Sequence, residues 1–291
     1  MTDTTKAALE PLPDLIVEPA VRAALIEDLG RAGDITTNAT IGAEDRARVV
    51  IAARKDGRVS GLSFAKAAFL TLDPEARFET RIADGHDCRP GAVIAAITAR
   101  TRALLSAERV ALNFAGRLSG IATLTAAFAA EVAHTGAKIV DTRKTTPGWR
   151  AFEKYAVRCG GGANHRFGLD DAILIKDNHV AAAGGIGEAI RRARAYSGHM
   201  VKLECEVDSL TQLEEALAAK ADIVLLDNMS NDQLREAVGI TAGRAVLEAS
   251  GNVTLKTVRG IAETGVDLIS SGALTHSAPV LDIGLDFEAA V

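Results

Sequence analysis

Asp141-Thr142-Arg143-Lys144-Thr145-Thr146-Pro147-Gly148 follows the short apolar run Ala137 to Val140, so a β-branched segment stops abruptly on two adjacent cations. Lys138-Ile139-Val140 does not alternate, the pattern of a strand covered on both faces of a parallel sheet. Thr146-Pro147-Gly148 breaks the run, because proline supplies no N–H and glycine admits positive φ. Ligands in α/β folds bind at the carboxyl ends of strands, which is where Arg143 and Lys144 fall. Taken alone, the stretch reads as a solvated turn.

The pattern recurs downstream. Ala172-Ile173-Leu174-Ile175 ends in Lys176-Asp177-Asn178-His179, and Val201 to Cys205 ends in Glu206. Ile223 to Leu226 ends in Asp227-Asn228, Ala245 to Leu247 in Glu248-Ala249-Ser250-Gly251-Asn252, and Val266 to Ile269 in Ser270-Ser271-Gly272. Helical spacing near Ala182–Tyr196, Leu210–Ala219, Asn231–Val238 and Thr254–Glu263 separates these runs, giving βαβ units and a parallel sheet. An open sheet offers one or two ligand-facing strand ends at its switch point; so many polar termini in succession fit a closed ring better. No G-x-G-x-x-G opens the first βα turn, and there is no Walker P-loop.

Before Ala137 the chain reads differently. Residues up to Pro19 form a proline-bearing lead-in, a first helix runs from Glu18 to a Gly30 cap, and Asp34 to Thr37 turns into a strand. Short strands at Val49–Ala52, Val59–Leu62, Phe78–Ile82 and Val93–Ile97, with a helix at Phe64–Leu72, make an α+β module. A long helical stretch from Thr101 to Thr135 is expected to break at Gly116 to Gly120, where the domain boundary is placed: residues 1–116, then 117–291. Arg109 interrupts its apolar side and, by pattern alone, reads as a solvated residue.

The chain has 291 residues and is 48% apolar, enough for a barrel with a smaller companion domain. A net charge of -5 excludes the basic footprint of a nucleic-acid binder. Cys88, Cys159 and Cys205 are scattered and form no C-x-x-C pair, as expected of reduced, buried thiols. The acidic, proline-rich N-terminus lacks signal-peptide character and no run is long enough to span a membrane, so a soluble cytoplasmic protein is expected.

A second dense patch, Gly160-Gly161-Gly162-Ala163-Asn164-His165-Arg166, precedes the Ala172 strand. His165 reads equally as a satisfied loop histidine. The rim then carries Arg143, Lys144, His165, Arg166 and Lys176 against the acids Glu206 and Asp227. Such a concentration of cations calls for an anion, and two arginine forks suit a ligand with two acid groups. Ser250-Gly251-Asn252 and Ser271-Gly272-Ala273 lie on the last two strands, where barrels commonly hold phosphate. Carboxylates beside phosphates hold Mg²⁺ or sugar hydroxyls, or stabilise developing positive charge. The residues thus point to a small polyanion beside a phosphosugar.

These residues resemble the quinolinate phosphoribosyltransferase family, the carboxylating nicotinate-nucleotide pyrophosphorylases, over nearly the whole chain. The marks are Glu27-Asp28-Leu29 with Gly33-Asp34-Ile35-Thr36, Asp141 to Gly148, Lys154-Tyr155-Ala156-Val157, Gly160 to Arg166, Ile175 to His179, Leu226-Asp227-Asn228 and Gly272 to Ser277. One departure is Asn252, where the family commonly has a second glycine. The resemblance implies a C-terminal incomplete α/β barrel with an N-terminal α+β sandwich domain, and the joining of quinolinate to phosphoribosyl pyrophosphate in NAD synthesis. It implies that Arg143, Arg166 and Lys176, with His165 and the partner subunit's Arg109, hold the diacid, and that Thr142 also binds substrate. Lys144, Glu206, Asp227, Ser250, Gly251, Asn252, Ser271, Gly272, Ala273 and His276 would hold phosphoribosyl pyrophosphate, with Mg²⁺ on Glu206 and Asp227 through that substrate and water. Lys144, Glu206 and Asp227 would be catalytic, and a homodimer, or a higher oligomer, would complete each site. The alternatives are a relative acting on nicotinate or on an acid linked to metal uptake, a Schiff-base aldolase using Lys144 or Lys176, and a non-catalytic phosphosugar-binding protein.

Overall fold

The computed structural model describes residues Leu9–Glu288, so the first eight residues of the expected lead-in lie outside the described part. Helices α1 (Asp14–Leu29) and α2 (Ile35–Thr40) precede strands β1 (Arg46–Ala53) and β2 (Gly57–Arg58), helix α3 (Leu62–Leu72), strands β3 (Arg77–Thr80), β4 (Asp87–Cys88) and β5 (Val93–Arg100), and the long helix α4 (Thr101–Val132). Then come β6 (Lys138–Val140), α5 (Arg150–Cys159), β7 (Ile173–Ile175), α6 (Asp177–Ala183), α7 (Ile186–Tyr196) and β8 (Leu203–Val207). The chain continues through α8 (Leu210–Ala218), β9 (Ile223–Asp227), α9 (Asn231–Thr241), β10 (Val246–Ser250), α10 (Val258–Ala262), β11 (Leu268–Ser270), α11 (Ala273–His276) and β12 (Ile283–Phe287). Two compact units result: the chain up to Leu124 with Ala151–Gly161 and the segment from Ala278 on, and Thr125–Arg150 with Gly162–Ser277. Two later segments thus return to the first unit, beyond the expected boundary at 116/117.

The first unit contains an antiparallel sheet in the order β12-β1-β5-β3 and a small β2–β4 pair. Its core joins α3, α4 and α5 through aromatic rings: Phe64 stacks on Phe114 at 4.9 Å and meets Phe152 edge-on at 4.8 Å. Several expectations change here. Asp14 to Pro19 is already helix rather than lead-in. Asp34 does not turn into a strand; its carboxylate accepts the Thr37 N–H at 2.9 Å and caps α2. The strand expected at Val59–Leu62 is not formed; a two-residue strand lies just before it at Gly57–Arg58, and α3 begins at Leu62.

The expected break at Gly116 to Gly120 is absent, and α4 runs through both glycines. They serve close approach instead. A Cβ at Gly120 would overlap the Pro279 carbonyl oxygen, and one at Gly116 would sit 3.1 Å from that of Leu281. The Leu281 N–H donates to the Gly116 carbonyl at 3.0 Å, which fixes the returning segment that leads into β12. That strand was not read from the sequence, although Ile283, Leu285 and Phe287 alternate with Gly284 and Asp286. Helix α5 was also missed, although Phe152, Tyr155, Ala156 and Cys159 recur at helical spacing; it buries Glu153 and Lys154 as well. Glu153 is paired with Arg117 at 3.0 Å.

The second unit is a six-stranded parallel sheet in the order β6-β11-β10-β9-β8-β7, with helices between successive strands from β7 onward. The closed ring favoured by the strand ends is not formed. Among the described residues no ladder joins β7 to β6; Ala163 instead bridges Val140, its N–H donating to the Ile139 carbonyl at 2.8 Å. The barrel is incomplete, as the resemblance implied. No helix among the described residues is long and apolar enough to cross a membrane.

Candidate active site

The carboxyl ends of the six parallel strands open on one cavity of about 840 Å³. Its walls carry Thr142, Arg143 and Lys144 after β6, His165 and Arg166 from the glycine-rich segment, Lys176 after β7, Glu206 on β8 and Asp227 on β9. Ser250, Gly251 and Asn252 follow from β10, and Ser271, Gly272, Ala273 and His276 from β11 and α11. Every site residue expected from the sequence is therefore gathered here except Arg109. That residue lies exposed on α4 in the first unit and is not among the lining residues. Asn228, Glu248, Thr254 and Ser270 also line the cavity and were not singled out.

The β6 end is organised by Asp141, which is fully buried. Its carboxylate accepts the Asn164 amide at 2.6 Å and the His165 N–H at 2.9 Å, tying the glycine-rich segment to the cation-bearing turn. Arg143 and Arg166 are thereby neighbours. Burial, and then the nearby Arg143 charge, push the Arg166 guanidinium below its ordinary value, while Glu204 acts in the opposite direction. Two like charges so placed are relieved by an anion between them. Lys176 Nζ stands 2.6 Å from Glu206 Oε2, so this cation and this acid are engaged with each other.

The last two strand ends are shaped by backbone geometry. Gly251 has φ +100, and a Cβ there would run into the Asn228 side chain. Asn252 has φ +52, the left-handed conformation that asparagine tolerates best among residues with a side chain. A Cβ on Gly272 would sit 2.8 Å from Lys144 Cδ and 3.2 Å from the His276 ring, so this glycine makes room for both. Thr275 Oγ1 donates to the Lys144 carbonyl at 2.7 Å, holding the β6 turn against α11.

Glu204 and Glu248 project from β8 and β10 and are almost fully buried, Glu248 where it lines the cavity. His165 Nε2 lies 3.0 Å from Glu204 Oε2 and 3.5 Å from Glu248 Oε2. Burial, then the Glu204 charge, push the Glu248 carboxyl up to about 7. The sequence signal was available: a charged residue at the centre of a two-sided strand, flanked by Leu203 and Cys205 or by Leu247 and Ala249. Counting His165 as a rim cation overlooked these acids. Glu206 and Asp227 are the carboxylates of the cavity wall at the strand ends, hard oxygen ligands that could hold a divalent cation.

Two family models match the chain: quinolinate phosphoribosyl transferase, N-terminal domain, over residues 34–119, and C-terminal domain, over residues 121–286. A probable nicotinate-nucleotide pyrophosphorylase [carboxylating] of Bacillus subtilis is 46% identical, over 90% of this chain and 90% of that protein. Quinolinate phosphoribosyltransferase [decarboxylating] 1b of Nicotiana tabacum is 42% identical, over 95% of this chain and 83% of its own length. Among solved structures, the nicotinate-nucleotide pyrophosphorylase from Francisella tularensis superposes with a TM-score of 0.92 at 39% identity, over 98% of this chain and 100% of that one. With both halves matched, and full-length relatives sharing the whole architecture, the chain belongs to the quinolinate phosphoribosyltransferase family.

Proposed function

We propose that this chain joins quinolinate to phosphoribosyl pyrophosphate, releasing pyrophosphate and carbon dioxide and leaving nicotinate mononucleotide, as a cytoplasmic step of NAD synthesis. The observation that carries the reading is one cavity lined by Arg143, Arg166 and Lys176 together with the Ser250–Asn252 and Ser271–Ala273 loops. The cations suit a diacid and the loops suit a phosphosugar. Arg143, Arg166 and Lys176 hold the two carboxylates, with Thr142 and His165 beside them. Lys144 and His276, brought together around Gly272, face the phosphate-bearing substrate.

Pyrophosphate leaves the ribose C1 with oxocarbenium character as the pyridine nitrogen attacks. Lys144 neutralises the leaving group, and Glu206 or Asp227 steadies the positive charge on the sugar. Glu206 and Asp227 would also hold Mg²⁺, through phosphoribosyl pyrophosphate and water; when bound, the ion supplies further charge neutralisation. Loss of the 2-carboxylate as carbon dioxide leaves electron density that the new pyridinium stabilises, so no covalent nucleophile is required.

The chain works as a homodimer in which Arg109 of each subunit enters the partner's cavity. Support comes from its surroundings: Ala107, Val110 and Ala111 are buried while Arg109 is exposed on the same helix. An assay of carbon dioxide release from quinolinate with phosphoribosyl pyrophosphate tests the activity. Turnover of nicotinate in place of quinolinate, or borohydride trapping of a lysine adduct with a carbonyl substrate, overturns the reading.

A further inference from the structure

Glu204 and Glu248 stand where the strand pattern calls for apolar side chains, at 4% and 1% exposure. Their strand neighbours Leu203, Cys205, Leu247 and Ala249 are buried apolar residues. Both carboxylates reach the same atom, His165 Nε2, so both project toward the interior of the incomplete barrel. The Oε1 atom of each has no hydrogen-bond partner among the described residues. Buried acids kept at such cost usually hold something in place.

What they hold is legible from the hydrogen bonds of His165. The Arg166 N–H donates to His165 Nδ1 at 2.7 Å, so that nitrogen presents a lone pair and carries no proton. The ring proton therefore resides on Nε2 and points at Glu204, with Glu248 behind. One tautomer and one ring orientation satisfy both ends. The His165 N–H is meanwhile fixed by Asp141, and the Arg166 guanidinium Nη1 donates to the Ala172 carbonyl at 3.1 Å. The backbone that carries Arg166 is thus pinned from two strands through a single imidazole.

We propose that Glu204 and Glu248 are positioning residues for the diacid clamp: acting through the His165 ring, they hold Arg166 beside Arg143 in the ligand-free protein. His165 then acts as a neutral strut rather than as a further cation. The proposal rests on the diacid reading of the cavity for its functional consequence, but the state of the ring does not. The same three side chains form the one cluster of metal-ligating groups among the described residues, with donor atoms within 4.8 Å of one another. A metal ion there would have to displace the Nε2 proton that both acids face, so the geometry favours the strut.

The test combines ring ¹⁵N resonances of the ligand-free protein with binding of quinolinate and of phosphoribosyl pyrophosphate. In the wild-type protein, His165 is expected as the neutral tautomer protonated at Nε2. Glu204→Leu should mix the tautomers and weaken quinolinate binding by about tenfold to a hundredfold, the loss of a charge-supported hydrogen bond, with phosphoribosyl pyrophosphate affinity unchanged. Glu204→Gln keeps an acceptor and should recover most of that affinity. An imidazolium, an Nδ1-protonated ring, or loss of the Nε2 proton to a stoichiometric divalent ion in the wild-type protein overturns the proposal. So does normal quinolinate affinity in folded Glu204→Leu. If Glu204→Leu does not fold, the wild-type ring state and the Glu204→Gln affinity decide. Failure of wild-type protein to bind quinolinate sinks the substrate assignment instead, and the ring tautomer, which needs no ligand, still decides whether His165 is a strut.

Discussion

Asn252 donates its side-chain amide to Asn228 Oδ1 at 3.2 Å, joining the loop after β10 to the end of β9, and both residues hold left-handed backbone with φ +52 and +55. Asn228 in turn donates to Asp227 Oδ2 at 2.8 Å, so the departure at Asn252 is tied to an acid on the cavity wall. Asn252→Gly keeps the backbone conformation and should leave the KM for phosphoribosyl pyrophosphate within about threefold of wild type, since a single exposed hydrogen bond contributes little. Asn252→Val forces a β-branched residue into that conformation, at about 1–3 kcal/mol, and should raise the same KM by about fivefold or more. Steady-state kinetics of the two variants checks this; equal KM values would show that the loop backbone does not matter to that substrate.

Arg143→Ala or Arg166→Ala should mainly remove quinolinate binding. Truncating one partner of a buried charge pair costs about 2–5 kcal/mol, roughly thirtyfold and upward in affinity. Calorimetric titration with each substrate separately measures it, and unchanged quinolinate affinity in both variants would rule out the carboxylate clamp.

Glu248 should impose a pH dependence on stability. Its folded-state carboxyl lies near about 7 against an ordinary 4.5, so the folded protein binds more protons than the unfolded chain between those values. Its contribution is therefore fully present below about 4.5 and is lost as pH rises to about 7, by up to about 3 kcal/mol. Glu248→Gln lacks this slope. Urea unfolding of both proteins at pH 5 and pH 8 should show the variant gaining on wild type at the higher pH; a constant difference would place the carboxyl outside that window.

Arg109→Ala and Arg143→Ala subunits should rescue one another if each site draws on both chains. A mixed dimer would have one doubly mutated site and one intact site. Random mixing of equal amounts makes about half the dimers mixed, so about a quarter of wild-type activity should return. No gain over the separate mutants, with subunit exchange demonstrated, would mean that Arg109 does not serve the partner's site.

The sequence by itself determined the second unit's strands and their polar ends, because buried parallel strands must be continuously apolar and their interruption by Arg143, Lys176, Glu206, Asp227 and Ser250 is visible residue by residue. It also determined, through long shared motifs, which family the chain resembles. Tertiary structure alone decided what depends on a distant segment. Gly116 and Gly120 look like helix breakers until the chain near Pro279 and Leu281 is seen lying against them. The ring of strands looks closed until Ala163 takes the place beside β6. His165 looks like a rim cation until Glu204 and Glu248, about forty and eighty residues downstream, are found facing its Nε2. In each case the local pattern was ambiguous because the deciding atom belongs to a part of the chain that only folding brings within a few ångströms.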